Sequence, residues 1–428
     1  MTSLLPLAAA AAVSPGDTAW MLVCTALVLL MTIPGLALFY AGMVRKKNVL
    51  ATMMQSFALC ALISVVWMVA GYSLAFGNGN AWIGDFSRLF LNGLGADWNK
   101  PFVLGAGTAL AQPTTIPESV FVMFQMAFAI ITPAVVTGAF ADRMRFSALA
   151  IVMTIWSLLV YAPIAHWVWA PTGWLARMGV ADFAGGTVVE INAGVAGLVC
   201  ALVLGKRLGL GTENLAPWNL AYAVTGGALL WVGWLGFNSG GAMGGNGRAG
   251  MAVLATQLAA AGATLAWAGA EWLLRGKPSV LGAISGAVAG LVAITPAAGF
   301  VLPGPALAVG VVAGLVCFYA ATEVKPRLGY DDSLDAFGVH GIGGIVGMLM
   351  TGVLAFGPLS MSAADPAGAA GGWHLLRVQA IAVAASFAWS AIGTYVALKI
   401  AALIVPLRVT REEEREGLDI VLHGEQVF

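Results

Sequence analysis

The chain alternates long apolar runs with short polar connections. Runs near the length that crosses a hydrocarbon core, about 20 residues, fall at 18–42, 50–76, 118–140, 146–169, 184–205 and 219–241. Five more follow at 249–274, 279–297, 304–323, 333–357 and 375–405. Barrel strands are about ten residues long and alternate in polarity; these runs are longer and unbroken. The pattern therefore predicts eleven transmembrane helices in an all-α polytopic membrane protein. The segment at 279–303 is the hardest to divide, because AAGFVLPG, its link to the next run, is itself short and apolar.

Basic residues fall on alternate connections. Arg45, Lys46, Lys47, Arg143, Arg145, Lys206, Arg207, Arg275, Lys277, Lys325, Arg327, Arg408, Arg411 and Arg415 lie on one side of an eleven-helix layout. The other side holds only Arg88, Lys100, Arg177, Arg248 and Arg377. The positive-inside rule then places the N-terminus outside and the C-terminus in the cytoplasm. Residues 1–17, MTSLLPLAAAAAVSPGD, are too short to span a bilayer and have no basic n-region. They read equally as a signal peptide or as a retained N-terminal segment.

Composition agrees with this layout. Of 428 residues, 60% are hydrophobic and 9% charged, with a mean hydropathy of +0.89; soluble domains carry about 25% charged residues. Twenty basic residues balance twenty acidic ones, so no basic field exists to attract nucleic acid. Cys24, Cys60, Cys200 and Cys317 lie in apolar runs without zinc-ligand spacing and read as buried thiols. No cofactor is implied.

Two internal matches carry more information. Gly35-x-x-x-Phe39-x-x-Gly42 in the first run is echoed by Gly233-x-x-x-Phe237-x-x-Gly240 in the sixth. Asp182, Glu190, Gly194 and Gly197 around the fifth recur, equally spaced, as Asp332, His340, Gly344 and Gly347 around the tenth. First matches sixth and fifth matches tenth, which predicts two five-helix repeats plus a final helix. Five is odd, so the second copy is inverted, and such repeats place a working site between them near the midplane. The expected domain is 18–405, with repeats at about 18–205 and 219–357, a last helix at 375–405 and a tail at 406–428.

Eight helical residues advance about 12 Å. Glu190 and His340, each eight residues beyond its aspartate, therefore approach the centre of a core about 30 Å thick from opposite faces. Glycines at i+4 and i+7 share a helical face with each, so two glycine-lined faces can cross with a carboxylate beside an imidazole. Ionisable groups at that depth cost about 2.5 kcal/mol or more and mark pathways. The pair can share or pass one proton. Two ligands are too few for a metal site, and Asp182 and Asp332 read as structural helix-start acids.

These segments also carry a family resemblance. MTIPGLALFYAGMVRKKNVL (31–50), DFAGGTVVEINAGVAGLV (182–199), GWLGFNSGG (233–241), RGKPSVLGAISGAVAGLVAITPAAG (275–299) and DDSLDAFGVHGIGGIVG (331–347) resemble the ammonium transporter (Amt/Mep/Rh) family, most closely its bacterial Amt branch. The resemblance runs from about residue 18 to the tail. It implies a homotrimer in the bacterial inner membrane, moving ammonium or methylammonium through a hydrophobic pore in each subunit. Carried onto this chain, Phe124 and Trp169 form an outer vestibule, with Gly241 at its edge. Phe128 and Phe237 form a hydrophobic gate, and Glu190 and His340 form the central pair.

Two positions depart from the bacterial pattern. Glu190 stands where that pattern has its first central histidine, as in some fungal members. Gly241 stands where it has a vestibule serine. The tail segments EREGLD and HGE resemble the family's C-terminal region, which packs on the cytoplasmic face, couples subunits and adjoins the docking site of a PII-type signalling protein. The leading expectation is an electrogenic ammonium transporter with a Glu190–His340 proton relay. An electroneutral ammonia or small-gas channel and an ammonium sensor with little flux are the alternatives. An intramembrane enzyme lacks a nucleophile or metal set and is not favoured.

Overall fold

A computed structural model describes residues 12–361 and 368–427. Most of the expected N-terminal segment, residues 1–11, lies outside the described residues. Among the described residues, ten helices are long and apolar enough to cross a membrane. They are Pro15–Met43, Lys46–Phe76, Glu118–Phe140, Phe146–Arg177, Gly186–Leu204, Leu220–Ala242, Gly247–Arg275, Pro303–Leu328, Phe337–Leu354 and Trp373–Ala402. Val280–Ile294 is a shorter apolar helix between the seventh and ninth positions and completes the eleven. It ends three residues before the expected boundary, because the chain then folds into buried turns: the amides of Ala297 and Phe300 donate to the carbonyls of Ile294 and Ala297.

Side-chain caps start several of these helices. Ser14, Asn219, Asn246 and Ser279 each accept from an amide in the first helical turn, at 3.2, 3.2, 3.1 and 2.8 Å. In the link between the second and third helices a small hairpin forms, β1 (Pro101–Leu104) antiparallel to β2 (Gln112–Pro117). Nothing in the apolar pattern had marked it.

The repeat is visible as packing. The first helix crosses the sixth so closely that a Cβ on Gly226 would lie 2.2 Å from the backbone nitrogen of Phe39. Reciprocally, one on Gly42 would lie 2.4 Å from that of Ala223. The fifth and tenth helices cross in the same manner. Two matched pairs share a local irregularity: π-helical turns occur in the fourth and ninth helices (Ser157–Tyr161, Ala320–Val324) and in the fifth and tenth (Gly186–Ile191, Phe337–Gly341). Those of the first and second (Met31–Leu36, Trp67–Gly71) have no counterpart in the sixth and seventh. Such turns cluster at functional positions in helices.

The charged tail folds back onto the bundle. The Val409 amide donates to the Arg143 carbonyl, and the Arg145 amide to that of Leu407. Thr410 and Glu413 form a reciprocal cap on the short helix Arg411–Glu416. Buried Glu414 pairs with Arg408 at 2.7 Å and accepts the Leu208 amide, also at 2.7 Å. Asp419 accepts the amides of Leu50 and Ala51 at the start of the second helix. Beneath it, Arg207 binds Asp331 through Nε and Nη2, and buried Arg143 donates to Ser333 and to the Asp331 carbonyl. Four connections distant in sequence are thereby tied together on one face.

Candidate functional site

Glu190 and His340 meet where the fifth and tenth helices cross. His340 Nδ1 lies 2.7 Å from Glu190 Oε2, and both side chains are buried. Each sits in the π-helical turn of its own helix. The Glu190 amide donates to the Gly185 carbonyl at 3.0 Å, a five-residue reach that widens the turn. The glycines permit the approach: a Cβ on Gly344 would lie 2.9 Å from the Cβ of Glu190. Glu190 Oε1 has no hydrogen-bond partner among the described residues.

The aspartates before these helices act on backbone. Asp182 accepts from the amides of Gly185, Gly186 and Thr187 at 2.8, 2.6 and 2.8 Å, and from the Thr187 hydroxyl. Asp332 accepts from Ala336 and Phe337 at 3.1 and 2.7 Å. Asp182 has a second effect through its own carbonyl, which takes the Trp169 indole N–H at 3.1 Å and so orients that ring.

Aromatic rings stack from Trp169 toward the crossing. Phe128 is the hub: its ring centroid lies 5.7 Å from Trp169, 4.8 Å from Phe124 and 4.2 Å from Phe237. Phe124, Phe128 and Phe237 are fully buried, so the Phe128–Phe237 contact closes that end of the site. Trp234, which the sequence reading did not single out, continues the series. Its ring lies 5.4 Å from Phe237 and is near-parallel to His340 at 6.5 Å, and its N–H donates to Thr295 at 2.8 Å. Trp234 stands three residues before Phe237, hence on the same helical face, a signal in the sequence that went unused.

Beyond the pair, a cavity of about 210 Å³ extends from His340 toward the tail face, lined by Phe39, Tyr40, Ser285, Arg207, Leu334 and Asp335 among others. The pair is thus sealed by aromatic rings on one side, and on the other His340 adjoins a partly polar cavity. Gly241 lies at the opposite end, against Phe183. No group of three potential metal-ligating side chains occurs among the described residues.

Comparison with known proteins decides what this arrangement is built on. Residues 19–428 match the model of the Ammonium Transporter Family. The chain belongs to the ammonium transporter family. It is 49% identical over 413 residues to the "Ammonium transporter" of Bacillus subtilis (strain 168), covering 96% of this chain and 98% of that relative. Its fold matches the crystal structure of Saccharomyces cerevisiae Mep2 with a TM-score of 0.82 at 34% identity, over 94% of this chain and 88% of Mep2. A structure titled "Sensor Amt Protein" matches with a TM-score of 0.84 at 28% identity, over 95% of this chain and 98% of that one. Membership of the ammonium transporter family also makes the chain a multi-pass membrane protein.

Proposed function

We propose that the protein is an ammonium transporter in which Glu190 and His340 take the proton from ammonium and carry it across separately from ammonia. The observation that carries the reading is the buried Nδ1–Oε2 contact of 2.7 Å at the helix crossing, with packed phenylalanines on one side and a cavity on the other.

Ammonium and potassium are alike in charge and size, so a charge-reading site cannot separate them. Phe124 and Trp169 form the outer vestibule, with half-buried Trp169 presenting its face and buried Phe124 packed beneath it against Phe128; an aromatic face attracts a cation by about 0.5–2 kcal/mol. The Phe128–Phe237 gate then excludes hydrated ions. Only a cation that can shed its charge profits from a proton acceptor beyond that gate. With Glu190 ionised, its Oε2 accepts from Nδ1–H, which leaves the lone pair of His340 on Nε2. A proton taken at Nε2 makes an imidazolium that the adjacent carboxylate stabilises, and ammonia continues into the cavity lined by Tyr40 and Asp335. Return of the proton on the tail side completes net charge movement.

In this reading the outer face is that of Trp169 and the tail is cytoplasmic, as the distribution of basic loops requires. The working unit is a homotrimer with one pore per subunit, built from the domain at 18–405. The tail and the loop around Lys206 and Arg207 offer a PII-type protein its docking face. The direct test is Glu190→Gln, which keeps size and polarity and removes the charge. Loss of ammonium-driven current from an intact trimer supports the relay; undiminished current removes Glu190 from it.

A further inference from the structure

Arg248 opens the seventh helix with a half-buried guanidinium and has no acidic partner among the described residues. It lies between two rings instead. Its Cζ is 4.8 Å from the centroid of Phe183 and 4.6 Å from that of Phe300, and its Nε donates to the Gly299 carbonyl at 2.9 Å. Three connections meet here: the link entering the fifth helix, the start of the seventh, and the turn between the eighth and ninth. Phe183 is seated tightly in this clamp. Its amide donates to the Pro296 carbonyl at 3.1 Å, and a Cβ on Gly299 would lie 2.2 Å from its ring.

The other side of Phe183 faces Gly241. A Cβ on Gly241 would lie 2.5 Å from the Phe183 carbonyl oxygen and 3.0 Å from its ring. Space for a side chain at 241 is therefore already taken by a backbone acceptor. The neighbouring Asp182 carbonyl is occupied by the Trp169 N–H. The Phe183 carbonyl accepts no hydrogen bond among the described residues. A partly dehydrated ammonium on the aromatic face of Trp169 has N–H groups to satisfy, and leaving them unpaired is costly.

We infer that Arg248 is a positioning residue of the outer vestibule, clamping Phe183 so that its backbone carbonyl serves as the ammonium acceptor at Gly241. The inference rests on the transport reading above and adds a determinant of substrate affinity to it. The guanidinium acts by shape and by cation–π attraction to both rings, from behind the ring and not on the substrate.

The test is the concentration dependence of methylammonium uptake by the full-length protein in proteoliposomes. Arg248→Gln should raise KM about fivefold, the size of one ordinary hydrogen bond, and leave maximal uptake within about twofold. Phe300→Leu, which keeps apolar volume and removes one stacking ring, should shift KM in the same direction. Arg248→Lys keeps the charge without the planar stack and should fall between wild type and Arg248→Gln. Gly241→Ala and Gly241→Ser should both raise KM, because either Cβ displaces Phe183. An unchanged or lowered KM in Arg248→Gln and Phe300→Leu overturns the inference, as does a Gly241→Ser variant that binds more tightly. Wild-type protein without saturable uptake would instead overturn the transport reading beneath it.

Discussion

A Cβ atom on Gly194 would lie 2.2 Å from the backbone nitrogen of Gly341 and 2.4 Å from its Cα. Backbone cannot yield as a side-chain end can, so the fifth and tenth helices touch here with no room for a methyl group. Glu190 stands four residues earlier on one helix and His340 is the neighbour of Gly341 on the other. Gly194→Ala should therefore push the helices apart at the pair, cost about 1–3 kcal/mol in overpacking and lower ammonium uptake at least tenfold. Gly269→Ala, on a position with open space around its Cβ, should do neither. Uptake and thermal unfolding of the two variants side by side check this.

On the proposed relay, the central carboxylate governs the charge carried. Glu190→His would place a second imidazole opposite His340, as in the bacterial pattern. The account expects ammonium current to persist in this variant, since a second imidazole can still pass a proton, and potassium current to stay absent, since the Phe128–Phe237 gate is untouched. Potassium current appearing in Glu190→His would show that the carboxylate, and not the gate, keeps that cation out.

The tail is held by specific bonds. Glu414 is 1% exposed and joins Arg408 to the Leu208 amide. Glu414→Ala leaves the Leu208 amide unpaired and takes from Arg408 its carboxylate, though not the carbonyls of Leu204 and Lys206, and should cost about 1–3 kcal/mol in tail docking. Limited proteolysis should then cut within 409–427 at least several times faster than in wild type, with the helices intact. Equal cleavage rates would mean that the other contacts, among them Lys47 to the Glu414 carbonyl, Arg145 to Glu413 and Asp419 to the second helix, hold the tail without Glu414.

Asp332 supplies a pH dependence of stability. Burial first, and then the nearby charge of Asp335, push its carboxyl up to about 6 against the attraction of Lys325. An unfolded aspartate titrates near ~4, so as pH rises the unfolded chain loses this proton before the native one does. The contribution to stability is fully present below that value and is lost as pH rises through about 6. Thermal midpoints of the wild type should accordingly fall between pH 4 and 7 more than those of Asp332→Asn. Parallel curves for the two proteins would contradict this.

Much of this was legible in the sequence because bilayer and helix geometry act on it directly. Run length alone placed the third helix at 118–140, where it is observed as Glu118–Phe140. The pairing of Glu190 with His340 followed from equal spacing to Asp182 and Asp332 and from glycines on the same face. What stayed hidden depends on contacts between distant connections. Thr295–Phe300 are buried turns in an apolar stretch, which hydropathy cannot tell from helix. The β1–β2 hairpin is short, with strands of four and six residues that carry prolines, so it leaves no periodic trace. The glycine at 241 read as a lost serine, whereas the structure shows its side-chain space filled by Phe183 from another link. The tail's charges did not reveal their partners, because Glu414 meets the Leu208 amide from 206 residues away and Lys47 reaches the Glu414 carbonyl from 367.

The central claim is that ammonium crosses as ammonia plus a separately relayed proton. Reconstituted wild-type protein, given an ammonium jump and then a potassium jump of equal size, tests it most directly. The account predicts a transient inward current with ammonium, none with potassium, and loss of the ammonium current in Glu190→Gln. An intact wild-type trimer that takes up methylammonium with no current to either cation would contradict it and leave an electroneutral channel.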